Sequence, residues 1–531
     1  MHHESVPFTI PDIRDLVPGK LKPCLLVAFV VVFQLSGGVY LASVCEMTGS
    51  LSLLQEDIMM AGYASLVGLS LTFTIMFRLK FRFSMKTSLL VPALGLVVCN
   101  LICMHTSNVP LLVAVCFVAG FLRMWGTFTC NTHIQLWVTP TRDLSVWFVY
   151  IYMLVQGFIQ LSGLATIYTA YLSTWEYMHW VVVGLLLCLV LATLLLVRRN
   201  PSMRRLPLFG IDWTGIILWA ATVLSAIFVL NYGEYYDWFD SAYIWIGTLF
   251  FATALGLNLW RASFIRHPYI ELKTWTFRHV WLTFLLYIVV DILLSPTHFF
   301  EHVYTERILG YDALNNISLN WIVLLGIACG GIFSYYTFAL RKWKYKTMTL
   351  IGFSLIVGYL LVMYFTIDYN LPKEMLYLPI FMRGAGYVII AITFITSLSG
   401  IPFQNFAQSL TIQSFVSACC GSLIGSAILT TVFRYTMSEN LAQIGAHFDR
   451  VNPVVNHMSL DSLFGMVQQH ATIVSMKEMY GLLCILGIFC ILVFLLRESS
   501  LRPTALHPKF STIRREIKQQ LRLGKVVDEN A

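Results

Sequence analysis

The sequence predicts an all-helical integral membrane protein with fourteen transmembrane helices, and three observations carry that expectation. Only 12% of the 531 residues are charged while 58% are hydrophobic, against about 25% charged residues in soluble domains, which excludes a soluble globular fold. Apolar runs of roughly 20 residues, the length that crosses about 30 Å of hydrocarbon, occur fourteen times. Stretches such as Val181–Val197 are continuously apolar, whereas membrane barrel strands alternate in segments of about ten residues.

The first 23 residues carry Glu4, Asp12, Arg14 and Asp15. The apolar run behind them is too long for a signal-peptide core and lacks a small-residue cleavage pattern, so it is expected to stay as span one, 24–45. Short loops then separate spans 57–77, 87–105, 109–131, 144–171 and 175–197, which complete a first bundle over 24–200. Two further spans, 212–231 and 241–260, form a hairpin within 201–275. Spans 279–300, 316–338, 347–366, 375–399, 406–433 and 478–496 make a second bundle over 276–497, interrupted by an outer loop at 434–477. That loop is polar and bears His and Gln, a composition and length for a helical hairpin or a contact with a periplasmic adaptor in a Gram-negative host. The tail, 498–531, holds Arg514, Arg515, Lys518, Arg522 and Lys525 and suits an amphipathic surface helix.

Charge placement gives the orientation, because Lys and Arg collect in cytoplasmic loops. With the N-terminus inside, 28 of the 35 basic residues fall in inner segments, five fall in outer loops, and Arg123 and Arg383 lie within spans. Both termini are therefore expected in the cytoplasm, at an inner (cytoplasmic) membrane. The net charge of +8 fits an inner face meeting anionic lipid and needs no nucleic acid. All twelve cysteines lie in or at the ends of spans and read as small packing residues, without the paired spacing of a zinc site.

An internal repeat is visible. The loop after span two runs from Phe77 to Thr87 and the loop after span ten from Phe338 to Thr347, both short and basic, with Lys86-Thr87 matching Lys346-Thr347. Span four carries Gly120-Phe-Leu-Arg123-Met-Trp-Gly126, and span twelve Phe381-Met-Arg383-Gly-Ala-Gly386. The helices are equivalent only if spans seven and eight are set aside, a 6 + 2 + 6 layout.

These residues carry a resemblance. Asp212-Trp213-x-Gly215, Tyr236-Asp237-Trp238-Phe239-Asp240-Ser241, Arg266-His267-Pro268 and Glu271-Leu272 are similar to the extra hairpin of the fourteen-span drug:proton antiporter branch (EmrB/QacA type) of the major facilitator superfamily. Leu309-Gly310-Tyr311, Leu378-Pro379 with Arg383-Gly384, and Gly421-Ser422 with Gly425 match it as well. The resemblance implies the major facilitator fold, two six-helix bundles around a cavity open alternately to each side. It also exposes two departures. Ser84 and Phe81 stand where the branch carries Gly and Asp between spans two and three, and Ser36 or Gly37 stands where its span-one acid belongs.

Ionisable groups at membrane depth are costly unless they face a bundle interior or a wet cavity, so each is a functional candidate. Three qualify: Arg123, Asp291 and Arg383. Asp291, in Tyr287-Ile-Val-Val-Asp291, takes the role of proton carrier in place of the missing acid; the competing reading is a permanent ion pair with one of the arginines. Arg123 and Arg383 either hold bundle geometry or attract an anionic substrate. Gln34, Gln156 and Gln160 add neutral hydrogen-bonding capacity, as cavity lining or as helix glue, and Gln156 and Gln160, four apart, share one face. His298 and His302 share a face too, but lack the HExxH order and a third ligand, so no metal is expected.

No GxxxxGK[ST] loop occurs, and neither extramembrane segment has the size of a catalytic domain. The expectation is a non-enzymatic secondary transporter without a cofactor, exporting an amphipathic organic compound against protons. Two alternatives stand beside it: a symporter or facilitator for an anionic solute, and a non-transporting membrane receptor or scaffold.

Overall fold

Inside hydrocarbon the backbone has no water to bond, so long apolar segments must satisfy their own N–H and C=O groups. In the computed structural model, which describes residues 12–37, 40, 44–140, 143–199, 208, 211–265, 267–297, 300–417, 421–447 and 459–496, the long elements are accordingly all helices. They are α1 (Lys22–Leu35), α2 (Val44–Leu51), α3 (Gln55–Thr72), α4 (Met76–Arg82), α5 (Met85–His105), α6 (Val109–Val138), α7 (Leu144–Leu172) and α8 (Glu176–Leu196). A hairpin of α9 (Trp213–Tyr232) and α10 (Ala242–Phe264) follows. The chain continues through α11 (Arg278–Leu294), α12 (Asn320–Ser334), α13 (Tyr345–Thr366), α14 (Tyr377–Leu398), α15 (Phe403–Phe415), α16 (Gly421–His447) and α17 (Leu460–Leu496).

Polar residues at the ends fix where helices begin. Asn108 caps α6 by accepting from Leu111 N–H, Asp143 caps α7 by accepting from Ser145 N–H, and Asp212 caps α9 by accepting from Gly215 N–H, each satisfying a donor the helix itself cannot. Among the described residues eleven helices are long and apolar enough to cross a membrane, or twelve if the pair α3 and α4, bent by 65°, is one span. Fourteen expected spans thus meet eleven or twelve that qualify. α1 has only 14 residues, and residues 38, 39 and 41–43 of expected span one lie outside the described residues. Expected span thirteen is divided between α15 and α16, with 418–420 likewise outside. Span nine also differs from expectation: α11 stops at Leu294, and the chain passes through a tight 3₁₀ turn at Ser295–Thr297 and a wide π-helical turn at Val303–Ile308. The expected outer loop 434–477 is helical over its described ends, because α16 runs to His447 and α17 begins at Leu460. The basic tail lies outside the described residues.

In chain order the helices form an early group (α1, α3, α5, α6, α7, α8) and a late one (α11 to α17), which meet where α7 packs on α12 and α14 and α15 packs on α3. In each group one crossing is made by glycine. A side chain at Gly68 would stand 2.0 Å from the Phe117 carbonyl and one at Gly120 1.8 Å from that of Ser65, which brings α3 onto α6. Gly326 and Gly384 bring α12 onto α14 in the same way, with 2.5 Å to the Phe381 carbonyl and 2.7 Å to that of Val323. Close backbone approach of this kind replaces the hydrophobic drive that lipid removes. The α9–α10 hairpin docks through α9 onto α3 and α16; Asn231 donates to the Glu56 carbonyl at 2.8 Å, and Tyr232 donates to Asp57. Its other helix turns Trp245, Ile246, Leu249, Phe250 and Trp260 outward, an apolar face suited to lipid.

The basic segments meet at one end. Ile13 bridges Val197, and Arg198 N–H donates to the Asp12 carbonyl. Lys86 donates to the Leu194 carbonyl at 3.0 Å, and Lys346 to that of Leu495 at 2.8 Å.

Candidate functional site

Where the two groups meet, apolar helices turn polar side chains toward each other. From the early group α7 contributes Tyr152 and Gln156, one turn apart. From the late group α11 contributes Tyr287 and Asp291, also one turn apart, α14 contributes Tyr387 and α15 contributes Gln413. The Gln413 amide donates to the hydroxyls of Tyr152 at 3.0 Å and Tyr287 at 2.9 Å, a link across the two groups. Tyr387 lies beside Gln156 and near Asp291. Two acceptors in this cluster are buried without a hydrogen-bond partner among the described residues, Gln413 Oε1 and Asp291 Oδ2. Asp291 is 7% exposed and lies against bare backbone, since a side chain at Gly421 would fall 2.0 Å from its Oδ2. Gln160, one turn past Gln156, is half-buried and forms no hydrogen bond to a described residue.

The two deep arginines do not meet this carboxylate. Arg383 pairs with Glu301, whose other oxygen accepts from the Tyr359 hydroxyl at 2.7 Å, and its guanidinium stands 6.0 Å from the centre of the Tyr359 ring. The expectation of Asp291 as the sole carboxylate at depth is therefore corrected. Beyond the 3₁₀ turn at Ser295–Thr297, Glu301 lies in a short helix, Phe300–His302, with its side chain 17% exposed against Arg383. In the sequence the signal was the same His298-to-His302 stretch, read there for its histidines; His298 lies outside the described residues. Arg123 is 5% exposed, has no ion-pair or hydrogen-bond partner among the described residues, and keeps a buried Nε without an acceptor. Its guanidinium covers Gly37, where a side chain would stand 1.5 Å from it, just beyond the last turn of α1, whose carbonyls make this the negative end of the helix dipole. Gln34 donates to Thr127 at 3.1 Å, one turn from Arg123, so it ties α1 to α6.

At the end carrying the basic loops the groups are held shut. Lys342 donates to Asp143 and, at 2.7 Å, to the Ser145 hydroxyl. Behind this latch Trp147 and Phe148 of α7 pack with Ile395 and Leu410, joined by Phe73 and Phe406. Ser70 bonds Ser414 at 2.9 Å and Thr74 bonds Thr411 at 2.7 Å, zipping α3 to α15. Asp143 lies beyond the membrane-spanning part of α7. Burial works against its charge, but Lys342 and the hydroxyl and N–H of Ser145 outweigh it and hold the carboxyl below its ordinary value of 3.8.

No protein-family model matches the sequence, and no curated protein does. Solved structures do match in fold. A mutant of the nucleoside transporter NupG is 12% identical with a TM-score of 0.53, covering 90% of this chain and 98% of its own. A mutant of the peptide transporter POT in complex with sulfate is 12% identical with a TM-score of 0.57, covering 93% and 99%. A structure described as bearing on substrate recognition in proton dependent oligopeptide transporters is 12% identical with a TM-score of 0.56, covering 93% and 99%. The chain thus has the fold of these membrane transporters over nearly its whole length.

Proposed function

We propose that the protein is a secondary active transporter that exports an amphipathic organic compound in exchange for protons, rocking two six-helix bundles about a midplane site, with fourteen crossings in a 6 + 2 + 6 arrangement. The observation that carries the coupling is Asp291, a buried carboxylate with one oxygen unpartnered, at the junction of the groups and bound by neither arginine. A carboxylate in that position can take a proton from one side and release it to the other when its surroundings change. The rigid alternative, a locking ion pair, finds no support among the described residues. Alternating access is supported by the closure at the basic end, which is made of one ion pair, two hydroxyl pairs and an aromatic plug, all contacts that rocking can break without unfolding a helix. The transporter fold and the presence of a proton dependent transporter among the similar structures agree with this reading, although fold alone does not settle function.

The test uses the full chain in proteoliposomes, a flat lipophilic cation such as ethidium as probe, and a pH-sensitive dye. Wild type should concentrate ethidium only under a pH gradient. Asp291→Asn keeps shape and removes titration, so it should retain downhill exchange and lose the proton-driven part. If Asp291→Asn still concentrates the probe with the wild-type dependence on pH, the assignment falls.

Arg123 supports a second reading, a symporter or facilitator for an anionic solute, because an unpaired buried guanidinium is an anion receptor as it stands. In the same vesicles fluorescein, a flat organic anion, would then equilibrate in wild type and not in Arg123→Gln.

A further inference from the structure

Away from the midplane, the early group carries a second set of reactive side chains. Cys103, near the end of α5, and Cys116, in the second turn of α6, are both buried, with their sulfur atoms 3.9 Å apart. Tyr40 and Trp175 belong to the same packed cluster. The Tyr40 hydroxyl is buried beside both thiols, and its ring centre is 5.9 Å from that of His179. His179 is buried too; its Nδ1 is 2.9 Å from Asn100 Oδ1 and its Nε2 has no partner. Because the amide oxygen can only accept, Nδ1 must carry the proton, which leaves Nε2 a free base. Asn100 and Cys103 are three apart on α5 and so share a face. Two touching thiols with a phenol beside them, and an imidazole against the rings of Tyr40 and Trp175, thus lie together, at the end opposite the basic loops, which the charge bias places outside.

We infer that Cys103 and Cys116 form a peroxide-driven, reversible disulfide. The sulfurs need move only about 2 Å to reach a bond of about 2.05 Å, and hydrogen peroxide is small enough to enter a packed cluster. His179 takes the Cys103 proton. The sulfur attacks one peroxide oxygen, the O–O bond breaks, and the leaving hydroxide collects that proton as water, giving a sulfenic acid. Cys116 sulfur then attacks the Cys103 sulfur, the S–O bond breaks, and a second water leaves with the Cys116 proton. Two thiols lose two electrons and one peroxide becomes two waters. Tyr40, already beside both sulfurs, donates to the sulfur anion and steadies it between the steps. The link joins α5 to α6 within one group, so it stiffens that bundle without tying it to the other.

The experiment treats the full-length protein in detergent micelles with hydrogen peroxide, quenches with iodoacetamide and maps the peptides by mass spectrometry. The expected result is a Cys103–Cys116 linked peptide that a thiol reductant abolishes, with a rise of a few degrees in the unfolding midpoint that Cys116→Ser does not show. His179→Gln, which keeps the bond to Asn100, should form the link at least tenfold more slowly. Both cysteines recovered singly alkylated after peroxide, or Cys103 joined to Cys99 instead, would overturn the inference. Linkage of His179→Gln at the wild-type rate overturns the part given to the imidazole.

Discussion

The two helical groups solve the same structural problem alike and the same electrostatic problem differently. In each, a repeat-related lysine, Lys86 or Lys346, reaches the terminal carbonyls of the last helix of its group, at Leu194 or Leu495, and in each a glycine crossing brings two helices into backbone contact. The arginines of the equivalent helices part ways. Arg383 is neutralised by Glu301 and braced by Tyr359, whereas Arg123 rests on the bare backbone of Gly37 with no acid beside it among the described residues. Scaffold contacts at helix ends and crossings tolerate no drift, because each is fixed by a close approach. A charge inside an apolar helix is kept by whatever compensates it, and changing that compensation turns a structural residue into a receptive one.

The largest effect is expected at the neutralised arginine. Arg383→Gln leaves the half-buried Glu301 without its ion-pair partner and should cost about 3 kcal/mol, the low end of what breaking a fully buried pair costs, seen as loss of protein from the membrane, with Glu301→Gln in the same chain restoring part of it. Wild-type accumulation of the single variant would erase the contrast between the halves. Gly37 comes next. Gly37→Ala forces the guanidinium aside and should lower the unfolding midpoint by the equivalent of about 1–3 kcal/mol, while Arg123→Ala removes the clash and rescues it. Arg123→Gln alone should leave the midpoint unchanged or raise it, the opposite of Arg383→Gln.

A smaller effect is expected at the latch between the groups. Asp143→Asn should shift the ratio of closed to open at the basic end by about fivefold, the equivalent of about 1 kcal/mol for a partly exposed pair, read by labelling a cysteine placed at Phe148. Exchanging the charges, Asp143→Lys with Lys342→Asp, should restore closure. The Asp143 carboxyl titrates below 3.8 in the folded chain, so its contribution is complete above that value and is lost only as pH falls through the depressed one. Labelling should therefore be flat from pH 8 to pH 5, and a rise within that window would show that another group holds the latch. The smallest effects belong to the shared feature: Lys86→Ala and Lys346→Ala should each cost about 0.3–1 kcal/mol, and equally. A several-fold inequality would mean that the repeat is looser than the two carbonyl contacts imply.

Composition, apolar run length and the clustering of basic residues were enough to determine that this is a helical membrane protein, roughly where its helices lie, and that Arg123, Asp291 and Arg383 fall inside long apolar helices. Each of these depends on transfer from water to hydrocarbon, which a residue undergoes with little regard to its distant neighbours. The partners of those charges were not legible, because they depend on how each helix is rotated and where it breaks. Glu301 reads as an interfacial residue along a straight span nine; only the bend after Leu294 returns it to Arg383. Asp291 reads from the sequence as a proton carrier or as one half of an ion pair, and only the packing of α11 on α16 sets it against Gly421, with one oxygen unpartnered among the described residues. Gln413 gave no sign in the sequence that it would join Tyr152 to Tyr287, since residues 261 and 126 positions apart meet only when separate helices are brought together. Depth follows from the local chemistry of a segment; pairing follows from tertiary structure, because the reach of a side chain is a few ångströms and only the folded chain decides what lies within it.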